Sequence, residues 1–324
     1  MMIELGPENA QEPRKTMRKR VKKHTFFLEN ELHVSTKIMT IPFYSRYFSP
    51  TLSYSPVKLS EIDKETHHIG YITETSPDKY ILVTSNKNID NSFHNVFYNP
   101  ESRINHNKCI IQILNSYKYL LNSLELMGTN NIVHLNICPQ TIGFDEHNIP
   151  RIHNFEHSFT FSNTIDERKS NLITSDCEYI YPLEIAVIRF INNRANMSSL
   201  SSSNIDEICA QFFDKGLGPL SLLSNIYISK LKAAALLSLR PYINKSPAYI
   251  IQKMMSHYRT WDNYGLSILY LILMRDISTQ LGSASYDVLL SDFCRLLVQN
   301  IHPEPKERYT CLQTMHNFNS LLGL

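Results

Sequence analysis

The 324-residue chain has a mass of 37.6 kDa, 43% apolar and 19% charged residues, and a formal net charge of +2. That composition fills a full-sized core across about two structural units, excludes a disordered chain, and leaves the bulk of the protein too nearly neutral to bind nucleic acid by charge alone. No stretch approaches the roughly 18 uninterrupted apolar residues of a membrane span, which argues against an integral membrane protein.

The start of the chain reads as polar and then basic, with no apolar signal segment. Arg14, Lys15, Arg18, Lys19, Arg20, Lys22 and Lys23 place seven cations within ten residues. Their mutual repulsion predicts a solvated, flexible arm over residues 1–25. Two readings of it stay open: a tail for nuclear import or for contact with nucleic acid or another acidic surface, and an arm with no dedicated partner.

Ordered structure is expected from about Phe26, with a helix over Phe27 to Met39 that sets Leu28, Leu32, Ser35 and Ile38 on one face. Prolines 42, 50, 56 and 77 break up the next region, where Tyr54 to Leu59, Gly70 to Thr75 and Tyr80 to Ser85 read as short strands. Ile110, Ile113, Leu114, Tyr117, Leu121 and Leu124 then keep a 3.6-residue stripe, predicting a long helix from about Asn107 to Met127 closed by Gly128. Short apolar pieces fill Ile132 to Phe161, with a turn over Gly143 to Asn148. Most of the remainder is helical, with Ser246-Pro247 as a cap and first-turn proline and further helices from about Trp261 to Met274 and Tyr286 to Gln299. The six cysteines, Cys109, Cys138, Cys177, Cys209, Cys294 and Cys311, form no Cys-x-x-Cys pair, so a reducing intracellular setting fits better than a zinc site or disulfide framework.

Several segments resemble the large lobe of protein kinases, in the same order. Val133-His134-Leu135-Asn136-Ile137-Cys138-Pro139-Gln140-Thr141-Ile142 is similar to the catalytic loop V-H-R-D-L-K-P-x-N-I. Pro150 to Glu156 resembles the strand and D-F-G segment, with Phe155 retained, and Tyr181-Pro182-Leu183-Glu184 resembles the P-P-E segment. Asp262 to Tyr270 and His302 to Thr310 resemble two later segments, D-x-[WY]-S-L-G-x-x-L-Y and H-P-D-P-x-x-R-P-T. Phe26 to Glu31, Ile41 to Phe48 and Trp261 to Tyr264 give a narrower likeness to the divergent kinase-like proteins of large DNA viruses of eukaryotes.

The resemblance implies an α+β, kinase-like bilobal fold, with a reduced β-containing small lobe over 26–105 and a large helical lobe over 106–324. The excess of chain between Glu184 and Asp262 implies a helical insertion at about 190–257, set where a protein partner would dock. It also implies lost chemistry. The base position falls on Asn136, the phosphate-contacting Lys on Cys138, and the two metal-ligand positions on Thr141 and Asn154. An amide takes no proton, and a hard cation prefers carboxylate. Gly6 and Gly70 are the only glycines before Gly128, so no G-x-G-x-x-G loop is present. The first three strands of a small lobe look absent, and with them the nucleotide-binding Lys; Lys22 and Lys23 stand near that place, but nothing in their context supports either in the role. Scaffold positions look kept: Glu31 on the first helix, His134, Phe155, Glu184 paired with Arg308, and Asp262.

These features point to a catalytically inactive pseudokinase without cofactor or metal, serving as an interaction or structural module. On the narrower likeness it would be viral, in the cytoplasm or nucleus of an infected cell or within a virion. The alternative is a divergent active Ser/Thr kinase, using ATP and magnesium and relocated acids among Asp145, Glu146, Glu156 and Asp166. A third reading is contact with nucleic acid through the basic arm.

Overall fold

The computed structural model describes residues 2–4, 17–57, 80–86, 89–99, 106–161, 181–194, 196–220, 223–278 and 287–323. The architecture is α+β. Strand β1 (Met2–Glu4) and strand β2 (Met17–Lys23) precede helix α1 (Phe26–Met39), and β3 (Phe48–Ser49), β4 (Thr51–Val57) and β5 (Tyr80–Asn86) follow it. Four of these strands form an antiparallel sheet in the order β1-β2-β5-β4. The strand expected over Gly70 to Thr75 lies outside the described residues, as do Arg14, Lys15 and Asp166.

The basic segment is therefore corrected in part: Met17–Lys23 is not a free arm but an inner strand, paired residue by residue with β5. Charge repulsion predicts solvation, but successive strand residues face opposite sides of the sheet, and both sides are covered at Val21 and Lys22. Val21 is 1% exposed, and Lys22 lies opposite the buried Ile81 and turns toward α1. Thr25 caps α1, accepting a hydrogen bond from the Leu28 amide at 3.2 Å. Helix α1 has two buried ends to its inner face. Leu28 joins Ile81 and Val83 in a small cluster under the sheet, while Val34 and Ile38 belong to the main core.

Next come β6 (Asn91–Ser92), α2 (Phe93–Tyr98) and α3 (His106–Thr129), then β7 (Ile132–Val133), β8 (Ile142–Phe144), β9 (Pro150–His153) and β10 (Phe159–Thr160). A second sheet has the order β3-β9-β8-β6, and β7 pairs β10. Gly128 does not close α3. The helix runs past it, and the left-handed residue that turns the chain is Asn131, with φ 55°. Gly143 in β8 is packed so tightly on Ile89 that a β-carbon there would overlap the isoleucine side chain.

The C-terminal part is helical: α4 (Leu183–Asn192), α5 (Ser202–Leu220), α6 (Asn225–Leu239), α7 (Pro247–Met255), α8 (Trp261–Ser278), α9 (Asp287–Asn300) and α10 (Cys311–Leu321). The apolar stripe of α3 is buried along its length. Its Tyr117 ring meets Tyr270 of α8 and Phe293 of α9, each at 5.0 Å, and Phe318 of α10 at 5.3 Å. Ser246 caps α7, as the Ser-Pro pair predicts. Helices α5 to α7 fill most of the span expected as an insertion, and they carry Ile205, Phe213, Leu231, Ala235, Leu239 and Ile250 into the main core. Among the described residues no helix is long and apolar enough to cross a membrane.

Burying a valine contributes about 1.5–3 kcal/mol, and β2 also supplies the pairing edge of β5. Deleting residues 1–24 should therefore lower the midpoint of thermal unfolding by several degrees or more. An unchanged midpoint would show that β2 contributes nothing to the folded body.

Candidate functional site

The site is built on the loop between β7 and β8. His134 and Leu135 leave β7 with their backbone N–H groups turned toward the first turn of α8, where Asp262 accepts both, at 2.7 and 2.8 Å. Leu135 is held in the left-handed region, φ 63°, which a branched side chain does not adopt unaided. Asp262 sits at a helix N-terminus, where the helix dipole favours negative charge. Burial still pushes its carboxyl up to about 6, against the two backbone donors that pull it down.

His134 is fully enclosed, and its neighbours define its tautomer. The Asn136 amide donates to Nδ1 at 3.2 Å, so the proton lies on Nε2, which donates to the His153 carbonyl at 3.2 Å. Burial pushes the imidazole down to about 3, so the ring is neutral. The edge of Phe155 packs on it at 5.3 Å between centroids, and Phe48 of β3 packs on Phe155 at 6.4 Å. His134 and Phe155 are thus packing residues that join the loop to the chain after β9.

The positions expected to have lost chemistry surround this frame. Thr141 is fully buried; its hydroxyl donates to the Asn136 carbonyl at 2.7 Å and accepts from the Cys138 amide at 3.1 Å. It closes the loop on itself. Asn136 is 7% exposed and its side-chain oxygen has no partner among the described residues; the same holds for the buried side-chain oxygen of Asn154. Asn154 has φ 61°, a conformation asparagine tolerates better than most residues. None of Asn136, Cys138, Thr141 and Asn154 is an acid.

The acids named for relocated chemistry are otherwise engaged or stand apart. Asp145 accepts from the amides of His147 and Ile149 at 3.0 and 2.9 Å and pairs with Arg151 at 2.9 Å, so it shapes the β8–β9 turn. Glu146 is exposed. Glu156 pairs with Lys22, whose ammonium lies 2.8 Å from Glu156 Oε1 and 2.7 Å from Glu31 Oε2. Thr51 donates to the other oxygen of Glu31 at 3.1 Å. Burial pulls the Lys22 ammonium down, but the two carboxylates outweigh it and hold it above its usual range. Lys22 is therefore committed inside the protein and unavailable to an external acidic surface. Arg20 and Lys23 also have partners within the chain, and the side chains of Arg18 and Lys19 lie outside the described residues.

Below the loop, the structure brings Glu184 of α4 and Arg308 together, 1% and 4% exposed, through Oε1 and Nη2. Trp261 donates its indole N–H to the same oxygen at 3.2 Å, and the Arg308 guanidinium lies over the Tyr264 ring at 5.8 Å. Sequence reasoning missed Trp261. It is the single tryptophan of the chain and adjoins Asp262, and a buried indole N–H generally finds an acceptor. It likewise missed the Lys22–Glu156 pair, because nothing local links residues 134 positions apart.

Scanned against family models and against curated proteins, the chain matches none.

Removing one partner of a buried ion pair strands a charge, at about 3–5 kcal/mol. Glu184→Ala and Arg308→Ala should each destabilise by that order in denaturant melts, with the double variant clearly below their sum; additive effects would show the two residues are uncoupled. The His134 ring supplies a pH dependence. The native state resists protonation down to about pH 3, whereas the unfolded chain takes a proton near the usual 6.5, so acidification through that window favours unfolding. Relative to His134→Phe, the wild type should lose about 1.4 kcal/mol per pH unit below that upper limit. Parallel stability curves for the two proteins would rule out a buried neutral imidazole.

Proposed function

We propose that this chain is a kinase-like protein that has lost phosphotransfer and works as an interaction or structural module. The observation that carries the reading is the pairing of an intact frame with neutral chemistry: Asp262 grips the His134 and Leu135 amides, yet the residue delivered by that grip is Asn136. A general base contributes roughly 10²–10⁴-fold to rate, and an amide supplies none of it. Asn154 is a weak ligand for a hard cation beside it. The order β1-β2-β5-β4 with α1 between β2 and β4, the Lys22–Glu31 pair, and the Glu184–Arg308 pair all accord with a bilobal kinase-like arrangement. Two strands before α1 make the small lobe less reduced than the sequence suggests.

We place the binding role on the region of α5 to α7, which leaves Ile226, Leu237 and Tyr249 73%, 57% and 43% exposed. On the narrower likeness to kinase-like proteins of large DNA viruses, the module would serve a viral assembly, including a virion. The active-kinase alternative rests on Asp145, Glu146, Glu156 or Asp166, and the engagements of Asp145 and Glu156 weigh against it.

The test is transfer of labelled phosphate from ATP with Mg²⁺ to a generic Ser/Thr protein substrate. No incorporation above a heat-denatured control is expected. Mg²⁺-dependent incorporation that vanishes on changing Asp145 or Glu156 to the amide would overturn the reading.

A further inference from the structure

Helix α6 is apolar on two opposite sides. Leu231, Ala235 and Leu239 recur every four residues and lie in the main core, at 3%, 0% and 2% exposure. Half a turn round the helix, Ile226, Ala233 and Leu237 form a second stripe, at spacings of seven and four. All three are exposed, Ile226 at 73% and Leu237 at 57%. A helix that packs one face on a core ordinarily gives the other to polar residues. Scattered apolar residues on a surface need no explanation. Two large ones on one stripe, with an alanine between them, make a ridge about 16 Å long at 1.5 Å per residue.

The charge around this ridge is of one sign. Over the whole chain 32 basic residues face 30 acidic ones. Between Leu223 and Trp261, by contrast, stand Lys230, Lys232, Arg240, Lys245, Lys253 and Arg259, with neither Asp nor Glu. Among the described residues none of the six forms an ion pair with a carboxylate. The Lys232 ammonium lies instead over the Phe213 ring of α5 at 5.7 Å. On α5, which packs against α6, Glu207 is taken by Arg194 at 2.7 Å, and Asp206 and Asp214 form no ion pair with α6. Lys230 and Arg240, both exposed, lie on either side of the ridge. This face therefore combines apolar contact area with positive charge that the chain does not neutralise.

We propose that the exposed face of α6 docks an acidic amphipathic helix of a partner protein. The partner's apolar residues, three or four positions apart, would lie on Ile226, Ala233 and Leu237, and flanking Asp or Glu would meet Lys230 and Arg240. Other occupants fit less well. A second copy meeting this face with its own sets cation against cation, since such a contact pairs one patch with itself. Nucleic acid would neutralise the cations and leave the apolar ridge in water. A membrane surface wants a broader apolar face than two large residues, and the other apolar side of α6 is committed to the core. The proposal rests on the interaction-module reading and adds the chemistry of the partner.

The test uses the full chain and a synthetic helical peptide with leucines at i, i+4, i+7 and i+11, flanked by glutamates. The peptide lacks Ser, Thr and Tyr, so its binding is not that of a phosphate acceptor. Fluorescence anisotropy should show saturable binding that weakens as salt is raised. Ile226→Ser combined with Leu237→Ser, and separately Lys230→Glu combined with Arg240→Glu, should each weaken binding at least about tenfold. The charge-reversed variant should instead prefer a peptide of the same apolar pattern flanked by lysines. All four positions are exposed, so unchanged thermal melts should confirm that each variant is folded. No saturable binding to wild type up to about 1 mM peptide overturns the proposal, as does binding that neither variant weakens. Tighter binding to phosphatidylserine vesicles or to a DNA duplex than to the acidic peptide overturns it too, as does a dimer of the chain that the Ile226 and Leu237 changes dissociate. Peptide binding together with phosphotransfer to a Ser/Thr substrate would leave the docking face standing and fell the inactive reading. Absence of both would fell the docking face and leave the inactive reading standing.

Discussion

One buried carboxylate organises the centre of this protein. Asp262 takes the two backbone N–H groups that the β7–β8 loop turns inward, and without it both would be buried with no acceptor, at about 1–3 kcal/mol each. Holding both amides is also what stabilises the left-handed backbone of Leu135, and so decides where His134 and Asn136 point. The burial cost is visible in the carboxyl itself, lifted to about 6. The same helix turn carries Trp261 to Glu184, and Tyr264 one turn on lies under Arg308. The start of α8 thus holds the loop above and the ion pair below, which explains why nearly every residue of that helix is buried.

A second constraint acts at α1. Leu28 belongs to the small cluster under the sheet, Val34 and Ile38 to the main core, and Glu31 lies between them on the same helix. Apolar contact fixes how α1 lies under the sheet, and Asn30 and Phe27 hold residues 156–158 along the same helix. The three-way contact of Lys22, Glu31 and Glu156 adds a direct tie between the sheet, the helix and the chain after β9. Buried ion pairs add little net stability over apolar packing of equal volume. What such a contact provides is direction: it is satisfied in one relative arrangement of the three elements, and a shift of either neighbour leaves a charge unpaired.

The helices were the legible part of the sequence. The stripe of α3, the Ser-Pro start of α7 and the apolar runs of α8 and α9 are local patterns, and local patterns survive folding. The Glu184–Arg308 pair was legible only through resemblance, since the partners lie 124 positions apart. Strand β2 was misread for a physical reason. Seven neighbouring cations repel, while pairing with β5, the two carboxylates that meet Lys22 and one buried valine reverse that balance. The end of α3 was misplaced because Gly128 looked like the stop, while Asn131 adopts the left-handed conformation. The Lys22–Glu156 contact had no sequence signal beyond a glutamate following Phe155.

That glutamate changes how the neutral positions are understood. A carboxylate at 154 would stand two residues from Glu156, which together with Glu31 already exceeds the charge of Lys22. Such a cluster needs a bound cation to be tolerable. With Asn at 154, the chain adds no further negative charge beside the two carboxylates that meet Lys22. Once Glu156 engages Lys22, an acid at 154, two residues away, becomes electrostatically costly, and an amide of the same shape relieves that cost while keeping the left-handed turn. Asn154 thus keeps the turn after β9 without adding a charge beside Glu156.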